Sequence, residues 1–117
     1  MPRFVVLEHD HPTLHWDLML EAAGALKTWR LARPPLRENA PIAATKLPDH
    51  RLAYLDYEGP VSGNRGTVTR WDRGEYTSDG EDDVERLTLV MKGERVGGRI
   101  SLIALRGDEW EFTWPAT

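Results

Sequence analysis

The sequence predicts a mainly β protein: a compact antiparallel β-barrel of about eight short strands, with loops and at most short helices. Three observations carry this reading. Segments of about six to nine residues rich in Val, Ile, Leu, Thr, Trp and Tyr recur along the chain, separated by Gly, Pro, Asp and Asn. Several of them alternate apolar and polar residues with the period of two that a half-buried strand requires. No repeat and no break in composition divides the 117 residues, so residues 1–117 read as one domain with one core.

Taken in order, "RFVVLEH" (3–9) is the first strand. "LHWDLMLEA" (14–22) and "ALKTWRLA" (25–32) flank Ala23-Gly24 and predict a hairpin. "RPPLRENAPIAATKLPDH" (33–50) reads as a Pro-rich loop with at most a short strand near 42–46. "RLAYLDYEG" (51–59) is expected to be a strand with a turn, and "GTVTRWDRG" (66–74) with "EYTS" (75–78) a strand–turn pair. "SDGEDD" (78–83) is an acidic surface turn. "VERLTLVMKG" (84–93) has helical propensity, but Thr88 and Val90 in a run bounded by Asp and Gly favour a strand. "GRISLIALRG" (98–107) and "EWEFTWPA" (109–116) complete the set. Trp16, Trp29, Trp71, Trp110 and Trp114 lie within these alternating runs, which makes them barrel packing rather than platforms for stacked bases.

Composition narrows the function. A net charge of −4 and a pI near 5.5 argue against general nucleic-acid affinity, though not against local basic patches. With no cysteine, disulfides, thiolate metal sites and a Cys nucleophile are excluded, and a reducing, cytoplasmic setting is expected. The apolar part of "MPRFVVLEHDH" is too short for a signal peptide, and no apolar run approaches the roughly 18 residues of a membrane span.

Chemistry concentrates in "LEHDHPTLHWDLMLE" (7–21), which holds three of the four histidines. On a strand, positions two apart share a face, so His15 and Asp17 project together with Met19 and Glu21 beyond them. Trp16, Leu18 and Leu20 take the other, apolar face. Pro12 in the linker "DHPT" can fold His9 back over the pair. Two imidazoles and a carboxylate suit a divalent transition metal such as manganese or zinc, with positions left open for water or substrate. An HxD pair on a strand is also a common surface hydrogen bond, so the pattern alone leaves both readings open. His11, beside Pro12, reads as an exposed, idle histidine, and His50 by itself as any loop histidine.

These residues carry a resemblance. His9, five intervening residues, then His15-x-Asp17, followed by "LMLE", "GALKTW" and a Pro-rich loop, resembles the 3′-phosphoesterase domain of bacterial and archaeal DNA ligase D. "DHRLAYLDYEG" (49–59), "GTVTRWDRGEY" (66–76), "KGERVGGRISLIALRG" and "WEFTW" resemble later segments of that family in order. The resemblance implies a β-barrel enzyme that uses manganese to remove a 3′ ribonucleoside and then the remaining 3′-phosphate before ligation in end joining. It puts His9, His15 and Asp17 on the metal ligands, His50 on a second catalytic histidine and Tyr54 on a site tyrosine. Arg33 falls where the family has a lysine, keeping the charge but changing a point donor into a fork. The implied partners are nucleic-acid 3′ ends, with ligase, polymerase or end-binding repair proteins beside them, no membrane, and a monomeric working form.

The departures thin the phosphate clamp. The family's arginine two residues after the ligand aspartate is Met19, and a second, eight residues before the later histidine, corresponds to Ile42. A family loop is shortened to "VSGNRG" (61–66), and little of a basic N-terminal extension is present before Leu7. Arg33, with Arg30, Lys46 or Arg65, can replace some of the charge. Three functions follow: a 3′-phosphoesterase of nucleic-acid ends, a non-catalytic metal-containing binding module in repair, or a phosphoesterase on a small phosphorylated molecule.

Overall fold

The computed structural model describes residues 1–80 and 85–115, except for the side chains of residues 38 and 39. Its strands are β1 (Arg3–His9), β2 (His15–Ala22), β3 (Ala25–Leu31), β4 (Glu38–His50), β5 (Gly59–Pro60), β6 (Thr67–Ser78), β7 (Arg86–Gly93), β8 (Gly97–Arg106) and β9 (Glu109–Trp114). They form one sheet in the order β1-β2-β3-β4-β9-β8-β7-β6-β5, and a β1–β6 pairing joins its ends. The result is an eight-stranded closed antiparallel barrel with the two-residue β5 annexed to β6. Closure leaves the ring strands without open edges, and eight strands make an interior that side chains can fill.

Alternation sends one face of each strand inward. Phe4, Val6, Leu18, Leu20, Trp29, Leu31, Ile42, Ala44, Leu89, Met91, Ile100, Leu102 and Phe112 form the barrel core. Trp29 and Trp110 meet edge to face within it, and Trp16, Trp71 and Trp114 pack against it half-buried. The tryptophans are therefore packing residues, as the alternation predicts. The opposite face carries a second, smaller cluster of Val5, Leu7, Met19, Leu26, Leu55 and Val68, with Tyr54 and Val61 against it. The segment 51–66 thus lies over the outside of β1 and β2. An Arg3–Asp56 ion pair of 2.7 Å pins it there, and the Arg3 hydrogen bond holds the Asp56 carboxyl below the usual carboxylate range.

The β2–β3 hairpin forms where expected: Ala23 and Gly24 both have positive φ, 52° and 81°, as a two-residue turn between twisted strands requires. Three expectations need correction. Residues 38–50 form a long strand rather than a loop, because its register shifts absorb the prolines: one falls between Glu38 and Ile42, the other opposite Leu26–Thr28. Residues 52–55 form a 3-10 turn rather than a strand, closed by the Tyr54 N–H donating to the Arg51 carbonyl. Residues 67–78 run as one strand with no turn at Gly74. That glycine is there for room, since a Cβ on it would lie 2.0 Å from the Lys92 carbonyl oxygen. The acidic turn at 78–83 lies partly outside the described residues. Among the described residues no helix is long and apolar enough to cross a membrane.

Candidate metal centre

The β1–β2 ladder sets His9 directly opposite His15 and Leu7 opposite Asp17. Cross-strand pairing and the i, i+2 rule together place His9, His15 and Asp17 on one patch of the barrel's outer face. One ligand atom from each lies within 4.8 Å of the others. His15 Nε2 is 3.2 Å and His9 Nδ1 is 3.7 Å from the same oxygen, Asp17 Oδ2.

Hydrogen bonds fix which ring nitrogens carry protons. His9 Nε2 lies 2.8 Å from the Arg65 carbonyl oxygen and His15 Nδ1 lies 2.8 Å from that of Thr13. A carbonyl can only accept, so both nitrogens donate. In neutral rings the remaining nitrogens turn lone pairs toward Asp17, an arrangement that a metal ion between them, or a proton on an imidazole, makes favourable. The carboxylate makes the same point. Asp17 Oδ1 is buried and has no hydrogen-bond partner among the described residues, although the side chain is only 5% exposed. The other buried carboxylate, Asp72, accepts from the backbone N–H groups of Arg73, Glu94, Arg95 and Val96 and is satisfied structurally. The donor set at Asp17 therefore fits a divalent ion with nitrogen and oxygen ligands, each imidazole oriented by a backbone carbonyl.

These groups open into a cleft of about 270 Å³ lined also by His11, Met19, Arg30, Leu47, His50, Tyr54, Val61 and Arg65. His50 enters from the end of β4, its Nδ1–H donating to the Pro48 carbonyl at 2.9 Å, which leaves Nε2 for a ligand. Tyr54 stands edge-on to His50, ring centroids 5.9 Å apart. Five of the six residues singled out in the sequence, His9, His15, Asp17, His50 and Tyr54, thus belong to one candidate metal cluster and the cleft beside it.

Arg33 stands apart. It is exposed, donates to the Pro41 carbonyl at 2.9 Å and is not among the residues lining the cleft. Ile42 is 1% exposed inside the barrel core, so an arginine at that position would not face the cleft at all. Lys46 donates to the Leu47 carbonyl and sits 5.0 Å over the Trp29 ring, where burial lowers its pKa. His11, set aside in the sequence as an exposed, idle histidine, is exposed, and it borders the cleft with its ring 6.4 Å from that of His9. The contact that seats it was hidden in Gly66, whose lack of a Cβ lets the 61–66 loop close onto Asp10 and His11.

The fold and site define a class of protein: a closed antiparallel β-barrel whose outer wall carries a two-histidine, one-aspartate group that could hold a metal ion, with a histidine–tyrosine pair beside it. Residues 7–104 match the family model of the DNA ligase D 3′-phosphoesterase domain, and the chain belongs to that family. It is 36% identical over 120 residues to the multifunctional non-homologous end joining protein LigD of Pseudomonas aeruginosa, covering 94% of this chain and 14% of the relative. It is 33% identical over 115 residues to the LigD non-homologous end joining DNA repair protein of Mycobacterium tuberculosis, covering 92% of this chain and 15% of the relative. The LigD protein of Mycolicibacterium smegmatis is 30% identical over 92% of this chain. The chain thus spans about one-seventh of the length of these relatives.

Proposed function

We propose that this chain hydrolyses phosphate esters at nucleic-acid 3′ ends, removing a 3′-phosphate or a 3′-ribonucleoside, with manganese held by His9, His15 and Asp17. The observation that supports this most is the pair of imidazole lone pairs converging on a buried carboxylate whose second oxygen is unpartnered. Zinc suits the same donors. When bound, the ion would supply Lewis-acid neutralisation of phosphoryl charge and acidify a water.

The chain's own residues supply the rest. The Arg65 and Thr13 carbonyls hold the two imidazoles in register. His50 Nε2, protonated, donates to the leaving oxygen as its bond to phosphorus breaks and a bond from water oxygen to phosphorus forms. That oxygen is the 3′ oxygen when phosphate is released and the 5′ oxygen of the departing nucleoside when a ribonucleoside is released. The Tyr54 hydroxyl donates to a phosphoryl oxygen. The setting that the relatives' names supply is end joining, in a cytoplasm whose reducing chemistry suits a chain without cysteine. Ligase, polymerase or end-binding repair proteins would then be the partners.

The experiment is turnover of a 3′-phosphate primer–template with manganese, with chelator, and in His15→Ala and His50→Ala variants. Metal-dependent release of phosphate lost in both variants is expected. A specific observation favours a second reading, a metal-containing binding module: Met19, on the cleft wall beside Asp17, offers no donor to a phosphate. Manganese binding without turnover on this substrate or on free nucleotide phosphates would select it.

A further inference from the structure

We infer that Arg30 is the phosphate-binding arginine of this cleft, a role that rests on the phosphoesterase reading for its substrate but not for its anion. The ladders place Arg70, Leu7, Asp17 and Arg30 in one cross-strand row on the outer face of the barrel. The two arginines at its ends differ in their surroundings. Arg70 is committed: its backbone N–H donates to the Glu58 carboxylate at 2.8 Å and its guanidinium lies 3.8 Å from the same group. Arg30 lines the cleft, and no hydrogen bond or ion pair among the described residues engages its guanidinium. Its Nε is buried without a partner, as Arg70 Nε is, but Arg30 has no carboxylate beside it comparable to Glu58 among the described residues. A cationic fork left unpaired in a partly desolvated wall needs a counter-charge.

Asp17 does not provide it. Arg30 is its direct neighbour across the β2–β3 ladder, yet the two form no ion pair, and the carboxylate turns to His9 and His15. The charge that satisfies Arg30 must therefore come from what occupies the cleft. A guanidinium matches a phosphoryl group through two parallel N–H···O bonds. It approaches from β3, one strand over from Met19, so the donor that Met19 lacks is delivered by the next strand of the same sheet. The ligand class this implies is a terminal phosphate or phosphodiester bearing two free oxygens, engaged by the ion on one side and Arg30 on the other.

The test uses the full chain, saturated with manganese, and inorganic phosphate as the probe, titrated by calorimetry in wild type, Arg30→Ala and Arg30→Lys. Circular dichroism verifies the fold, and Arg30→Lys keeps the aliphatic stem should the alanine variant unfold. Manganese affinity is expected to stay unchanged in both variants. Phosphate affinity is expected to fall about ten- to a hundred-fold in Arg30→Ala, with Arg30→Lys intermediate because a point donor replaces a fork. Met19→Arg added to Arg30→Ala should recover part of the loss. This pattern supports the assignment even if wild type fails to turn over a 3′-phosphate primer–template, a failure that would overturn the enzymatic reading alone. Unchanged phosphate affinity in folded, manganese-loaded Arg30→Ala or Arg30→Lys overturns it, even if wild type is an active phosphoesterase.

Discussion

The Nε2–H of His9 donates to the backbone carbonyl of Arg65, 2.8 Å away, so a metal-ligand candidate on β1 is aimed by a loop 56 residues further along the chain. That loop is closed on itself by the Val61 N–H donating to the Gly66 carbonyl, and it is tied to β1 by the Thr67 N–H donating to Asp10 Oδ1. Gly66 is the contact point: its φ is +76°, and a Cβ there would lie 2.2 Å from Asp10 Oδ1 and 2.7 Å from His11 Cβ. Gly66→Ala should therefore push the loop off β1 and cost about ten-fold or more in manganese affinity while all three ligands remain. Calorimetry decides it, and an unaltered affinity would show that His9 is oriented some other way.

Asp17→Asn should trade binding for stability. In the metal-free protein the new amide N–H can donate to the His15 Nε2 lone pair, now 3.2 Å from Asp17 Oδ2, and the unpartnered buried charge disappears. We expect the metal-free form to gain about 1 kcal/mol. We also expect loss of the roughly 2.7 kcal/mol that wild type gains at a hundred-fold excess of manganese over its dissociation constant. Urea denaturation with chelator and with manganese reads both quantities. A variant less stable than wild type in chelator would contradict the first.

His50 and Tyr54 should separate chemistry from metal binding. His50→Ala is expected to lower kcat by about 10²- to 10⁴-fold, the usual reach of one acid–base group. Tyr54→Phe should act more weakly, since it removes one hydrogen bond and keeps the ring against Leu55's cluster. Neither should move manganese affinity. A His50→Ala enzyme that turns over at the wild-type rate would move His50 out of the reaction.

Arginines introduced at 19 and 42 should behave differently. Ile42→Arg would bury a charge in the barrel interior and should cost about 3 kcal/mol or more, measured as a shift in urea midpoint. Met19→Arg should cost less, because its stem can pack on the outer cluster while the head reaches the cleft. Equal losses would mean that both positions are closed to solvent.

Ala23→Gly should stabilise the protein by about 1 kcal/mol, because an L-residue held at φ 52° pays a steric penalty that glycine does not. Equilibrium unfolding checks it. No gain would show that the β2–β3 turn relaxes around alanine.

Much of this fold was legible because alternation survives wherever a strand buries one face. The first three strands fall within a residue or so of their sequence limits, and the pairing of His9 with His15 follows from them. Illegibility came from residues with two uses. Pro41 and Pro48 read as loop punctuation, but a long strand tolerates them where its register shifts. Gly74 read as a turn, yet it makes room for a neighbouring carbonyl. The shift between Leu47 and His50, opposite Leu26–Thr28, sets three residues against two and so breaks parity, and one residue of slip exchanges inside for outside. That is why counting eight residues back from His50 lands on a core side chain. Arg33 and Arg30 differ for a related reason: Arg30 is inside a strand whose register states its neighbours, whereas Arg33 lies past the end of β3, where sequence does not say how the chain turns.

The cleft occupies the outer wall of the barrel and leaves the lumen to packing. A pocket sunk in a lumen measures its guest by what fits down a hole, so it sorts by overall size. A shelf on the outside places no ceiling on the bulk behind the group it grips. A polymer of any length can lay its terminus there while the rest of it trails through solvent, and discrimination then falls to the chemistry of the last few atoms.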